Sequence, residues 1–292
     1  MTDMSKEAAT ANLLASFTSL SASRSRRSFV AGALAMGGAV AGAGLLPAAA
    51  HAATSASTTS PDDITTIFTV AQTAEQLAVT FYTNGVKNAS ALGLSTNELN
   101  YLKAALIEEQ LHQQFFASVT KVPVQTVNSF NFPLGVQNGS TNTTFTDLTT
   151  FIKTQQTLEG VFDSAFIAAV YELTLLGRPD LARIACQIAM VESEHRVLGR
   201  DILISHNLQA VTDPADNWTY APQLLDSVGA APGIVQAAGF IPASGSGAYS
   251  YQEVYQYNPS TKMGTDPLNL GLGDVAAKIL YQGGPVALAA MN

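Results

Sequence analysis

A single cysteine, Cys186, stands in a chain of 292 residues, and no two Lys or Arg residues are adjacent after Arg26-Arg27. One thiol cannot close an intramolecular disulfide, and without a Cys-x-x-Cys pair the chain cannot build a four-thiolate iron centre or a thiolate zinc site. Lying in the apolar run RIACQIAM, Cys186 is expected to be a small core residue. The missing basic runs argue against nucleic acid and against an anionic membrane surface as partners. Charged residues make up only 12% of the chain, and histidine occurs four times. Apolar side chains are plentiful: 47% of the residues are hydrophobic, enough at this length for a sizeable core.

The first fifty residues stand apart. The stretch SRSRRSFVAGALAMGGAVAGAGLLPAAAHAA joins a basic start, a weakly apolar Gly/Ala-rich run and the small-x-small site Ala50-His51-Ala52, the three parts of an export signal. Its Arg26-Arg27-Ser28-Phe29 resembles the twin-arginine translocation consensus. Residues 1–52 are therefore expected to be a removed signal, the glycines and the cleavage site favouring removal over a retained membrane anchor. The resemblance implies passage to the periplasm or the exterior by a route that carries folded proteins, often already loaded with metal. Lys6, Arg24, Arg26 and Arg27 account for four of the 14 Lys/Arg, and Asp3 and Glu7 for two of the 22 Asp/Glu; residues 53–292 keep ten against twenty, a formal charge of −10.

Residues 53–206 contain four long stretches with apolar residues at helical spacing. The first carries Ile64, Phe68, Ala71, Ala78 and Tyr82 on one face, with an acidic start and Gly85 near its end. In the second, Ser95 and Glu98 form a capping box ahead of Leu102, Ala105, Leu106 and Phe116. The third, expected from about Thr144 to Leu176, aligns Leu148, Ile152, Phe162, Phe166 and Ala169, and the fourth opens at Pro179 and aligns Leu181, Ala185, Ile188, Gly199 and Ile202. Short connections join one to two and three to four, so each pair is expected to form an antiparallel hairpin. The segment VPVQTVNSFNFPLGVQNGSTNT between two and three is long enough to cross the bundle. An all-α four-helix bundle with one long crossover is the ferritin-like arrangement. Residues 207–292 read as a loop-rich extension, with LLDSVGAAPGIVQAAGF and GDVAAKILYQ as candidate short helices and enough aromatic residues to pack on the bundle or on another subunit.

Polar residues interrupt each apolar stripe. Glu75 falls between Ala71 and Ala78; Glu109 and His112 fall between Leu106 and Phe116; Glu159 falls between Ile152 and Phe162; Glu192 and His195 fall between Ile188 and Gly199. A spacing of three puts each Glu and His on the same side of its helix. Glu75 precedes Glu109 by 34 residues and Glu159 precedes Glu192 by 33, so two hairpins carry one pattern. Four buried carboxylates need counter-charge, and Lys103, Lys153, Arg183, Arg196 and Arg200 lie off the stripes. Two divalent cations would balance them, and the oxygen-rich set with two imidazoles suits iron or manganese better than zinc.

The order Glu, Glu-x-x-His, Glu, Glu-x-x-His resembles that of ferritin-like di-iron and di-manganese carboxylate proteins. The wording AEQLAVTFY, EEQLHQQFF, LEGVFDSAF and VESEHRVLGR is similar to the bacterial ferritin-like group that includes desiccation-related proteins. The resemblance implies that Glu75 and Glu159 each bind one metal, Glu109 and Glu192 bridge, and His112 and His195 complete one metal each. It further implies redox activity, as a ferroxidase or in peroxide disproportionation, with dioxygen, peroxide or Fe(II) as small partners. A stress or surface scaffold with a structural metal is the alternative. The extension has no counterpart in a 24-subunit storage cage, while a smaller homo-oligomer is compatible with the sequence. Glu108 and Glu194 lie about 100° round the helix from their neighbours and read as surface or supporting carboxylates, Glu194 being the expected partner of a ligating histidine. Tyr82 and Tyr171 are expected in the core, with hydrogen bonding to a ligand or a redox role as the alternative for each, and His206 at the end of the fourth helix.

Overall fold

The termini of the helices are fixed by side chains that the sequence places at their ends. In the computed structural model, which describes residues 60–120, 127–135, 142–209, 225–242, 247–258, 263–273 and 275–276, Asp63 caps α1 (Ile64–Lys87) by accepting from the Thr66 amide. Ser95 and Glu98 exchange hydrogen bonds at the start of α2 (Thr96–Thr120), Glu98 accepting from the Ser95 amide at 2.7 Å. Asp147 caps α3 (Leu148–Leu175), and Pro179 opens α4 (Pro179–Ser205). Such side chains satisfy amides that have no partner within the first turn. The expected acidic first turn of α1 is in fact its cap, and α3 begins four residues later than the apolar pattern suggested, because Thr144 bonds back to the crossover through Phe132 O and the Gly135 amide.

The helices pair as two hairpins, α1 along α2 and α3 along α4. Gly177, at φ +71, makes the tight turn between α3 and α4, a conformation that costs glycine little. At one end of the bundle Phe81 stacks on Phe151 with centroids 4.6 Å apart, and Phe132 and Phe145 of the crossover close over them. Towards the other end Phe116 packs against Phe68 and Phe166. The crossover enters this core through β1 (Ser129–Phe130) and a turn at Pro133–Gly135.

The extension returns along the bundle. A turn at Val228–Ala230 leads into α5 (Ala231–Ala237), which packs on α3. The buried Glu172 carboxylate accepts from the amides of Asp62 and Val228, both at 2.8 Å, and so joins the entry to α1 and the start of the extension to α3. Further on, β2 (Tyr249–Ser250) pairs antiparallel with β1, and β3 (Gln256–Asn258) pairs with β4 (Met263–Thr265). Between these ribbons Gln110 of α2 accepts from the Val254 amide and donates to the Tyr251 hydroxyl. The candidate helix GDVAAKILYQ falls largely outside the described residues, as does the whole of the expected signal, residues 1–52. No helix among the described residues is long and apolar enough to cross a membrane.

Two expectations for buried side chains are overturned. Cys186 is exposed, since it shares the outer side of α4 with Arg183 and Met190, one turn to either side, both exposed. Tyr171, 62% exposed, lies on the outer side of α3 with Ile167 and Leu175. A helix rich in apolar residues all round leaves the choice of inner face to its neighbours.

Candidate metal centre

The polar interruptions of the four stripes converge midway along the bundle. Glu75, Glu109, His112, Glu159, Glu192 and His195 are all buried, His112 being the most accessible at 6%. His112 Nδ1 lies 3.7 Å from Glu75 Oε2, 3.8 Å from Glu109 Oε2 and 4.0 Å from Glu192 Oε1. His195 Nδ1 lies 2.9 Å from Glu109 Oε1, 3.6 Å from Glu159 Oε1 and 3.7 Å from Glu192 Oε2. Two groups result, Glu75–Glu109–His112–Glu192 and Glu109–Glu159–Glu192–His195, each with one donor atom per residue within 4.8 Å of the others. Glu109 and Glu192 belong to both.

The donor atoms lack partners of their own. Glu75 Oε1, both oxygens of Glu109 and of Glu192, Glu159 Oε2 and the Nδ1 atoms of His112 and His195 make no hydrogen bond. The short approach of His195 Nδ1 to Glu109 is too poorly aligned to be one. Buried polar atoms are ordinarily satisfied, and a concentration of unsatisfied ones calls for a specific cause. Eight of them on six side chains that meet in one place, oxygen and imidazole nitrogen only, are compatible with metal binding.

Electrostatics without cations is correspondingly strained. Burial, reinforced by the negative charge of Glu109 and the other carboxylates, pushes the Glu75 and Glu192 carboxyls well above their ordinary range. Burial would raise Glu109 as well, but the close approach of Glu75, His112 and His195 holds it well below. His195 is pushed well up: burial opposes its charge, and Tyr82, Glu108, Glu109 and Glu159 outweigh that. The centre therefore stays neutral by keeping protons on some carboxylates, or by accepting cations in their place.

Around the Glu159–His195 half the supporting contacts are polar. His195 turns Nε2 to Glu108 Oε2 at 3.0 Å, which leaves Nδ1 as the lone-pair atom facing the centre. The Tyr82 hydroxyl donates to Glu159 Oε1; burial, then the Glu159 charge, raises its pKa well above the usual phenol range, so it remains a donor. Gln155 Nε2 donates to the Tyr82 hydroxyl at 3.0 Å and to the His195 carbonyl at 2.9 Å. That bridge needs Gly199, where a Cβ would fall 1.8 Å from Gln155 Oε1. The exposed Glu194 does not take the part expected of it; Glu108, from the neighbouring hairpin, does. The buried Asp163 is neutralised separately by Arg196, 3.0 Å away, so this cation is not available to the centre.

Residues 63–205 match the family model described as the ferritin-like domain. The bundle that these residues form, four helices with one long crossover, has the ferritin-like arrangement. No curated protein and no solved structure matches the chain. The ferritin-like domain holds a buried acidic and histidine cluster that could bind metal. Sequence reasoning missed Gln155 as a support and gave Glu108, read as a surface or supporting carboxylate, no partner, because both point between helices, where the periodicity of one helix gives no indication of what the next one presents.

Proposed function

We propose that the ferritin-like domain holds two metal ions, iron or manganese, and acts in redox chemistry as a ferroxidase or in peroxide disproportionation. Glu75 and His112 would hold one ion, Glu159 and His195 the other, with Glu109 and Glu192 between them. The supporting observation is that the six residues form two overlapping groups and leave eight buried oxygen and nitrogen atoms without a partner. Bound there, the metal pair supplies electron transfer to or from dioxygen or peroxide.

The chain's own residues do the positioning. Glu109 and Glu192 fix the separation of the two groups; Glu108 fixes the tautomer of His195; Tyr82 keeps its proton and orients Glu159. Phe116 and Phe166, stacked 5.9 Å apart beyond the Glu75–His112 half, help exclude water, which strengthens every interaction of the carboxylates. Sequence features add the setting. The twin-arginine stretch supports export to the periplasm or exterior, and the wording around the six residues supports a role in oxidative or desiccation stress.

Elemental analysis of reconstituted protein, followed by Fe(II) oxidation and peroxide decomposition assays on the wild type and Glu109→Ala, tests this reading. Activity that disappears together with metal supports it. The near-complete burial of all six residues favours a second reading, a structural metal in a stress or surface scaffold, and metal bound without turnover would select it.

A further inference from the structure

The two hairpins repeat the Glu and Glu-x-x-His pattern, but not what surrounds it. Gln155, Tyr82 and Glu108 support the Glu159–His195 half. The positions that correspond to them by the repeat, four before Glu75, seven after Glu159 and one before Glu192, are Ala71, Phe166 and Val191. Each is apolar. Two of the three, Ala71 and Phe166, line a cavity of ≈ 360 Å³ beside the Glu75–His112 half. Phe116, one turn after His112, and Ala74, next to Glu75, also line it.

Small side chains create this space. Ala71, Ala165, Ala169, Ala185 and Ala231 are all buried and all face it, from α1, α3, α4 and α5. Its outer wall is Val228, Pro232 and Val235 of the extension, held in place by the Val228 amide on Glu172. No lining residue among those described is charged; Thr69, Thr73 and Gln236 are the polar ones. An enclosed engineered void of about 150 Å³ with apolar walls takes up benzene; this space, partly open to solvent, is more than twice that volume. Along α1 it runs from Ile67 to Leu77, roughly 15 Å at the helical rise. An apolar space of that length suits an extended hydrocarbon chain better than a compact ring.

We propose that this cavity, walled by α1, α3, α4 and α5, binds one uncharged molecule with an unbranched hydrocarbon chain, such as a long-chain alcohol or alkene. The chain lies among the alanines and any hydroxyl sits at the Thr69–Thr73–Gln236 edge. A fatty-acid carboxylate is disfavoured, because the walls offer no cation to offset its desolvation. The site does not depend on the metal reading, since none of its walls is a candidate ligand.

Calorimetric titration of the full chain with 1-dodecanol, in metal-free and metal-reconstituted forms, tests the proposal. One saturable site per chain is expected in the metal-free form, with dodecanoate at pH 8 binding at least tenfold more weakly. Ala169→Phe and Ala185→Leu, which fill the cavity from different helices, should each weaken dodecanol binding at least tenfold without altering metal content. Two variants are used so that one which fails to fold leaves the other. No saturable dodecanol binding, undiminished binding in a folded filled variant, or dodecanoate binding as tightly as dodecanol would overturn it. Failure of the metal reading would appear in metal content alone.

Discussion

Two clusters of glutamate, histidine and hydroxyl groups sit in the same bundle, and they differ in one respect. At the end where α2 begins and α4 ends, Glu98 accepts from the Ser95 amide, the Ser205 hydroxyl and His206, so both carboxylate oxygens are satisfied. At the centre, four glutamates and two histidines leave eight donor atoms without a partner. The first cluster is complete within the protein and clamps one end of the bundle. The second is complete only with protons or cations that the chain does not supply. The same residue types thus serve stability in one place and a site in the other, and hydrogen-bond completeness, rather than composition, separates them.

Removing a central carboxylate should stabilise the metal-free protein. Glu192→Leu, which removes a buried carboxyl with neither oxygen partnered, is expected to raise the unfolding free energy of the metal-free chain by about 1–3 kcal/mol, while metal binding is lost. Urea unfolding together with elemental analysis measures both. Glu98→Gln should do the reverse, costing about 2–3 kcal/mol at pH 7.

The two clusters should also give opposite pH slopes. Burial alone would raise the Glu98 pKa, but hydrogen bonds from Ser95, His206 and Ser205 bring it from 4.5 down to about 2. A lowered folded-state value stabilises above the unfolded one, so this contribution is present above about pH 4.5 and fades towards pH 2. Wild type and Glu98→Gln should therefore converge in stability over that range. Glu75 and Glu192 are raised, so their contribution is present below about pH 4.5 and is lost as pH rises through their folded-state values. Metal-free protein titrated by urea unfolding should show this loss, and metal-loaded protein should not.

Smaller effects separate the halves of the centre. Glu108→Gln weakens the support of His195 and should lower the affinity of one metal about 10–100-fold, leaving the other metal unchanged in a stepwise titration. Equal weakening of both would contradict the division into a polar-supported and an apolar-supported half. Tyr171→Ser, on the exposed side of α3, should stay within about 0.5 kcal/mol of wild type.

Much of this was legible because charge on an apolar stripe is conspicuous. Glu75, Glu109, His112, Glu159, Glu192 and His195 could each be placed on an inner face by counting residues along one helix, and the connection lengths indicated which helices pair. What failed required knowledge of a second element. Cys186 and Tyr171 looked internal because α3 and α4 are apolar on several sides, and only the packing of their neighbours leaves them outside. Glu108 could be read only as a surface or supporting carboxylate, since its partner is 87 residues away on another hairpin. The pairing of Phe130 with Tyr249 is equally remote, and a two-residue strand carries no periodicity.

The central claim is tested most directly by counting metal. Reconstitution with Fe(II) or Mn(II) without oxygen, removal of loosely bound ions and elemental analysis should give about two ions per chain for the wild type and a loss of both in Glu109→Ala. Fewer than about one ion per chain in the wild type, or two retained in Glu109→Ala, would contradict a two-metal centre bridged by Glu109 and Glu192.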